Sequence, residues 1–273
     1  MVTVKIYSPF APIAVAWRYK DLVIPLARRK VSARYRGSVL GMLWAVLSPV
    51  ILLGIYTFIF SVVLQVKWNL EPGSRDQFAL FLFSGMILYS VFSDCLNEAP
   101  SLMIGNRLYI RQLVFPVEVL PWVSVLSSLF SLGINFLILM TFYVLVLGPP
   151  SFSLIYLPLT TLPLVLLTLG GVWFFASIGV YLRDLGHVVG LLTTALLFLS
   201  PIFYPVSVVP ADFRAYYEMN PFVHILEMSR GAIFQGAQPD WVLLAGCLFG
   251  SWLFAWLGYT WFMTTKKGFA DVV

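Results

Sequence analysis

Apolar residues are gathered into six long stretches, at roughly residues 38–66, 78–103, 122–147, 154–181, 188–204 and 241–264. A helix rises about 1.5 Å per residue, so about 20 apolar residues are needed to cross about 30 Å of hydrocarbon. Five stretches meet this length, and the stretch at 188–204 is at its lower limit. The pattern predicts an all-α integral membrane protein with six transmembrane helices.

The basic residues lie mostly on one side of these predicted helices. Eight of the 17 Lys and Arg residues precede the first stretch, and others lie in the turns after the second and fourth stretches and in the tail. The loops on the other side contain only Lys67, Arg75, Arg214 and Arg230. Lys and Arg accumulate on the cytoplasmic side of membrane proteins, so we expect both termini in the cytoplasm.

The composition agrees with a membrane protein. Hydrophobic residues make up 60% of the chain and charged residues only 11%, against roughly 25% charged in soluble domains. The net charge of +5 is placed next to the membrane, where it favours anionic lipid, so it does not indicate nucleic acid. Cys95 and Cys247 have no spacing typical of a metal site or a redox pair, and we expect no metal.

Several local features refine the first half of the chain. Residues 9–36 alternate apolar and basic side chains, as in a helix lying on a membrane surface, and Pro25 predicts a break or bend in it. Gly37 and Gly41 are one turn apart and predict a close approach of another helix, as do Gly246 and Gly250 in the last stretch. Pro49 predicts a kink in the first span.

Two segments between spans are unusual for connecting loops. Residues 106–121 start as a short basic amphipathic run and then contain Pro116 and Pro121, which predicts a short rigid helix. Residues 205–240 are too apolar for an ordinary loop, and they predict two short helices separated at Asn220-Pro221.

A few charged pairs lie one helical turn apart. Asp94 and Glu98 share a face of the second span near its end, and we expect them to pair with the basic N-terminal segment or with Arg107 and Arg111. In the later segment, Glu227 and Arg230 have the spacing of a pair on one helical face.

The catalytic motifs that would supply energy or chemistry are absent from the sequence. It contains no G-x-x-x-x-G-K-[ST] phosphate-binding loop, no H-E-x-x-H and no G-x-S-x-G. Charged residues are also nearly absent from the middles of the spans, which disfavours transport driven by an ion gradient. The remaining energy source is a separate motor that acts on the cytoplasmic loops.

Three stretches carry a resemblance to a known family: residues 34–44 with Pro49, residues 106–121, and Tyr181-Leu182-Arg183-Asp184-Leu185 followed by Ser200-Pro201 and Asn220-Pro221-Phe222. They resemble the Wzm-type permeases of bacterial ABC transporters that export O-antigen polysaccharide. The resemblance covers nearly the whole chain and extends to capsule and teichoic-acid exporters.

The resemblance implies a homodimer in the bacterial inner membrane, with two copies of a Wzt-like ATPase that binds ATP and Mg. The chain itself would be no enzyme and would hold no cofactor, and its substrate would be an undecaprenyl-diphosphate-linked polysaccharide. It also implies a cytoplasmic interface segment, residues 1–36, and a permease domain, residues 37–273, with a coupling helix at 106–113 and periplasmic gate helices within 205–235.

The same resemblance assigns roles to individual residues. Sugar contact in the channel is expected for Tyr56, Phe60, Tyr89, Phe198, Phe203 and Tyr204. Contact with the ATPase is expected for Asn106, Arg107, Tyr109 and Arg111. The lipid diphosphate is expected to meet Arg34, Arg36 and Arg107. The periplasmic gate would include Tyr216, Tyr217, Asn220, Pro221, Glu227 and Arg230.

Two other kinds of function stay open from the sequence. A drug-efflux permease would share the spans and the external motor. A membrane-embedded glycan transferase would need convergent acid and base residues in a cleft, and Asp94 with Glu98 are the only close carboxylate pair within a span.

Overall fold

The computed structural model describes residues 8–59, 75–110, 115–204 and 209–269, and these residues form helices and no strand. The first helices are α1 (Ala11–Arg18), α2 (Lys20–Tyr35), α3 (Trp44–Tyr56), α4 (Arg75–Gly105), α5 (Arg107–Ile110) and α6 (Leu120–Leu147). They are followed by α7 (Leu157–Gly179), α8 (Leu185–Phe198), α9 (Ala211–Glu218), α10 (Pro221–Arg230) and α11 (Trp241–Thr265).

Five helical segments are long and apolar enough to cross a membrane. They are Gly41–Ile59, Phe78–Gly105, Val117–Leu147, Phe152–Gly179 and Trp241–Gly268. The stretch at 188–204 instead forms α8, a helix of 14 residues. At about 1.5 Å per residue, α8 is about 21 Å long, which is too short to cross about 30 Å of hydrocarbon. The apolar pattern therefore predicted the all-helical architecture, and α8 alone does not reach the length of a span.

Helix α4 forms the centre of the bundle and is the most buried of the five long helices. It packs against α6, α7 and α8, while α7 packs most extensively against α11. Two glycines of α7 allow these contacts. A Cβ at Gly179 would collide with the backbone of Pro100 in α4, and a Cβ at Gly170 would lie 2.5 Å from the ring of Phe254 in α11.

The glycine pairs chosen from the sequence do not make such contacts. Gly37 and Gly41 have φ angles of +86° and +49°, so they turn the chain between α2 and α3. No atom lies within 4 Å of a Cβ built at either residue, nor at Gly246 or Gly250. No helix of the described chain therefore approaches either pair, and an approach by a helix of another copy stays a prediction.

Two of the prolines singled out from the sequence lie inside helices. Pro25 lies within α2, which continues from Lys20 to Tyr35, and the break between α1 and α2 falls at Tyr19. Of the break or bend predicted at Pro25, the break does not occur, and a bend within α2 stays a prediction. Pro49 likewise lies inside α3, where the kink stays a prediction.

Candidate functional site

A charged cluster joins α2, α4 and α6 at the end of the bundle where α2 lies. Lys30 of α2 forms an ion pair with Glu98 of α4. The hydroxyl of Ser124 in α6 donates to Glu98 at 2.6 Å, and Lys30 donates to that hydroxyl at 3.0 Å. The expected pairing of Glu98 with the basic N-terminal segment is confirmed. We call this end of the molecule, marked by Lys30, the basic end.

Arg34 continues the same cluster one turn along α2. Its guanidinium donates to the hydroxyl of Ser131 in α6 at 3.3 Å, and its charge acts on Asp94 of α4. Arg36 follows at the end of α2 and is exposed, and Arg107, also exposed, begins α5. Of the three arginines predicted to meet a lipid diphosphate, Arg34 is thus built into a three-helix cluster.

Helix α4 presents one polar face between residues 90 and 101, where its other residues are buried. From residue 90 to residue 101, every residue that is exposed or half-exposed is polar: Ser90, Ser93, Asp94, Asn97, Glu98 and Ser101. We call these six residues the α4 polar face. By contrast, the large exposed side chains of α6 and α11 are apolar, among them Leu137, Val144, Val242 and Phe249. On the side of α8, Thr193 donates to the side-chain oxygen of Asn97 at 3.1 Å.

A cavity of about 590 Å³ lies at the basic end between α2, α4, α5 and α6. Its lining includes Arg29, Lys30, Asn106 and Tyr109. The ring of Tyr109 stacks on Phe115 with centroids 4.4 Å apart, which ties α5 to the chain just before α6. The cavity therefore brings predicted coupling residues next to the basic residues of α2. Arg111 lies outside the described residues.

The aromatic residues predicted to contact sugar fall into two environments. Phe198 is exposed at the end of α8, and its ring stacks on Phe203 at 5.8 Å. Tyr204 is half-buried and lies 6.1 Å from the ring of Tyr217, while Tyr56 is half-buried in α3. Phe60 lies outside the described residues.

Tyr89 differs from the other four described aromatic candidates because it is buried within the bundle. Its hydroxyl donates to the backbone carbonyl of Thr193, and its ring packs 5.7 Å from that of Phe222. Phe222 also packs edge-on against Phe92 at 4.5 Å. Tyr89 therefore connects α4, α8 and α10, and it would reach a channel only if these helices separated.

The end of α8 is held by two side chains of the 220–230 region. Asn220 donates to the carbonyl of Leu199 at 3.2 Å and to the hydroxyl of Ser200 at 3.3 Å, while its own oxygen caps α10 through the Phe222 amide. Arg230 donates to the carbonyls of Pro201 and Ile202. We call this set of contacts the α8–α10 junction.

Arg230 is only 2% exposed and extends the junction to α4. It donates to the carbonyl of Phe81 at 3.1 Å, and its guanidinium lies 4.1 Å from the centre of the Phe81 ring. Burial lowers the pKa of Arg230 to about 9, which still leaves it charged at neutral pH. Glu227, one turn earlier, is exposed, and its charge acts on the buried guanidinium of Arg230.

The other residues predicted for the gate surround this junction. Pro221 begins α10, directly after the cap residue Asn220. In α9, Tyr216 is 74% exposed, whereas Tyr217 is buried, and burial raises the pKa of the Tyr217 hydroxyl. The two tyrosines therefore point in different directions, and only Tyr216 offers a side chain to a surface.

Residues 22–234 of this chain match the family model of the ABC-2 type transporters. The match includes α2, the charged cluster, the α4 polar face and the α8–α10 junction. This chain belongs to the ABC-2 type transporter family.

Individual ABC-2 relatives are similar along nearly their full lengths. An O-antigen export system permease of Myxococcus xanthus is 28% identical over 94% of this chain and 97% of the relative. An O-antigen export system permease of Klebsiella pneumoniae is 25% identical over 93% of this chain and 95% of the relative. A polysialic acid transport protein of Escherichia coli is 26% identical over 82% of this chain and 86% of the relative.

Sequence reasoning missed several residues that build the site of this ABC-2 type protein. Lys30 was one of eight basic residues before the first span, and nothing local distinguished it. The α4 polar face did have a signal, because Ser90, Asp94, Asn97 and Ser101 repeat at helical spacing within an apolar run. Only its two carboxylates were singled out.

Proposed function

We propose that this chain is the membrane-spanning subunit of an ABC transporter that exports lipid-linked polysaccharide of the O-antigen type. The single observation that supports this most is similarity over more than nine-tenths of both chains to permeases named for O-antigen export. The apolar helices and the absence of a phosphate-binding loop fit a subunit that forms the path and leaves ATP hydrolysis to a partner.

The proposed assembly is a homodimer with two copies of a Wzt-like ATPase in the bacterial inner membrane. Each chain would cross six times with both termini in the cytoplasm, α8 and the turn after it serving as the fifth crossing. The concentration of Lys and Arg at the basic end supports this orientation. ATP and Mg would be bound by the ATPase.

The basic end would receive both the motor and the substrate head group. Helix α5, with Asn106, Arg107 and Tyr109, would transmit movement of the ATPase to α4 and α6, which it connects. A diphosphate would be attracted by Arg34 and Arg36, since charge-assisted bonds to phosphate favour Arg. Arg29 in the lining of the 590 Å³ cavity adds a further cation there.

The opposite end would hold the gate. Helices α9 and α10 are attached to the end of α8 through Asn220 and Arg230, so movement of α8 would shift them together. The aromatic candidates best placed to meet sugar are Phe198, Phe203 and Tyr204. They lie at this end, where Phe198 is exposed and the other two are half-buried. Aromatic rings offer apolar faces that suit sugar C–H surfaces.

Reconstitution tests the proposal directly. The permease and its ATPase would be placed in proteoliposomes with an undecaprenyl-diphosphate-linked glycan, and glycan translocation would be measured with ATP and without it. We expect translocation only with the ATPase and ATP. Equal translocation by the permease alone would contradict the proposal.

The relative named for polysialic acid transport supports a second candidate within the same mechanism. In that case the exported glycan would be of the capsule type. The same proteoliposomes, loaded in turn with an acidic capsular glycan and a neutral O-antigen glycan, distinguish the two by which glycan is translocated.

A further inference from the structure

The α4 polar face needs a polar environment that the described chain does not itself provide. Asp94, Asn97 and Ser101 are exposed, and they lie about one helical turn apart on a helix long and apolar enough to span the membrane. Ionisable and polar side chains inside membranes are costly in contact with lipid, and they face the bundle interior or a water-filled space. The face is therefore not a lipid-exposed surface.

The neighbours of this face limit what is able to cover it. On one side it borders α8, where Thr193 is bonded to Asn97, and on the other it borders the charged cluster of α2 and α6. Glu98 is satisfied by Lys30 and Ser124. Asp94, Asn97 and Ser101 remain directed to the outside of the described chain, with carboxylate, amide and hydroxyl groups that exchange hydrogen bonds with water or with sugar hydroxyls.

We infer that the α4 polar face lines the cytoplasmic half of the export conduit and that Asp94, Asn97 and Ser101 hydrogen-bond the hydroxyl groups of the passing glycan. This inference rests on the proposed function. It adds a polar surface to the conduit, beside the aromatic residues near α8. Short side chains such as Asp, Asn and Ser form single, exchangeable bonds with hydroxyl groups, which suits a chain that must slide.

The first experiment measures whether water reaches the α4 polar face, from the rate at which introduced thiols react. In a chain with Cys95 and Cys247 replaced by alanine, Asn97→Cys and Ser101→Cys are compared with Leu137→Cys, a 68% exposed position on the apolar surface of α6. A water-soluble maleimide reacts with the thiolate, which forms in water and not in lipid. We expect at least about tenfold faster labelling at 97 and 101 than at 137.

Two outcomes of the labelling overturn the inference. Equally slow labelling at 97 and 137 would place the face against lipid or protein. Spontaneous disulfides between two copies of the Asn97→Cys chain, together with slow labelling at 97, would place it in a closed interface between copies.

Contact with the glycan is tested by export from the complete transporter. Asp94→Asn with Ser101→Ala should lower glycan export about fivefold or more per assembled transporter, the loss expected for one or two hydrogen bonds. Thr141→Val is the matched control, because it removes an exposed hydroxyl of α6 that bonds only to its own helix, away from the face. Lipid-linked glycan should also slow labelling at position 97.

The results separate this inference from the proposed function. Fast labelling at 97 together with unchanged export in the Asp94→Asn/Ser101→Ala variant would refute the glycan contact and leave the transporter intact. Fast labelling of the Asn97→Cys complex, together with a natural complex that moves no glycan, would refute the export function instead.

Discussion

Gly85 of α4 makes room for the guanidinium of Arg230, since a methyl group at position 85 would lie 2.5 Å from Nη2. The Arg230 side chain is unable to move away from such a methyl group, because it is buried and bonded to carbonyls of α4 and of the turn after α8. The glycine and the arginine therefore form one unit.

The Gly85→Ala variant should lose about 1–3 kcal/mol of stability, the cost typical of overpacking a filled interior. Thermal unfolding in detergent measures the loss. Gly246→Ala in α11 is the matched control, because no atom lies within 4 Å of its Cβ position. Combining Gly85→Ala with Arg230→Lys should cost less than the sum of the two single losses, since Lys lacks the colliding Nη2. Simple additivity would contradict this relationship.

Replacing Arg230 by Met should detach the end of α8 from α4 and α10. The carbonyls of Phe81, Pro201 and Ile202 would each lose a donor, and Phe81 alone would keep another, the Ser84 hydroxyl. An unsatisfied buried acceptor costs about 1–3 kcal/mol. We expect a lower melting temperature and faster hydrogen exchange after α8. An Arg183→Met variant, changed at an exposed residue between α7 and α8, should show neither effect.

Reversing the charges of Lys30 and Glu98 should show that α2 is held to α4 by this pair. Each single reversal, Lys30→Glu or Glu98→Lys, places like charges together and should lower stability, by about 1 kcal/mol because both side chains are partly exposed. The double reversal should recover part of that loss in the same thermal unfolding experiment. A Lys267→Met variant, at an exposed residue, serves as the control, and no recovery in the double variant would argue against the pair.

The contact of α7 with α4 should not tolerate a side chain at Gly179. Its Cβ would meet backbone atoms of Pro100, which are unable to move aside, so Gly179→Ala should cost about 1–3 kcal/mol or more. Gly133→Ala in α6, where nothing lies within 4 Å, should leave stability nearly unchanged. Comparable melting temperatures for the two variants would show that the helices pack further apart.

Helix α5 offers the side chain best suited to test docking of the ATPase. Leu108 is 74% exposed, and Leu108→Asp should lower recovery of the ATPase with the purified permease several-fold, because a buried carboxylate at an interface is costly. Tyr216→Asp, at an exposed position of α9 near the opposite end, should leave recovery unchanged. Thermal unfolding of both variants checks that the fold is kept.

The helical architecture could be predicted because membrane thickness sets the length of an apolar run, and this needs no knowledge of neighbours. The glycines could not be sorted in the same way. Gly37 and Gly41 have the spacing of a packing motif, yet Gly179 and Gly85 make the close contacts. Whether a glycine faces another helix depends on which helix lies opposite, and the local sequence does not contain that information.

The candidate site was predictable in part. Asn220-Pro221 marked the start of α10, because an Asn cap followed by Pro is a local signal. The carbonyl partners of Arg230 were not predictable, since spacing indicated only Glu227, and the structure adds carbonyls from two distant segments.

The shortness of α8 has a consequence for the chain that follows it. The last carbonyls of a helix have no partner within it, and a buried carbonyl without a partner is costly. Side chains of the cap and of the last residue of α10 supply those bonds at Leu199, Pro201 and Ile202. The turn after α8 is therefore fastened to both ends of α10 at three separate carbonyls.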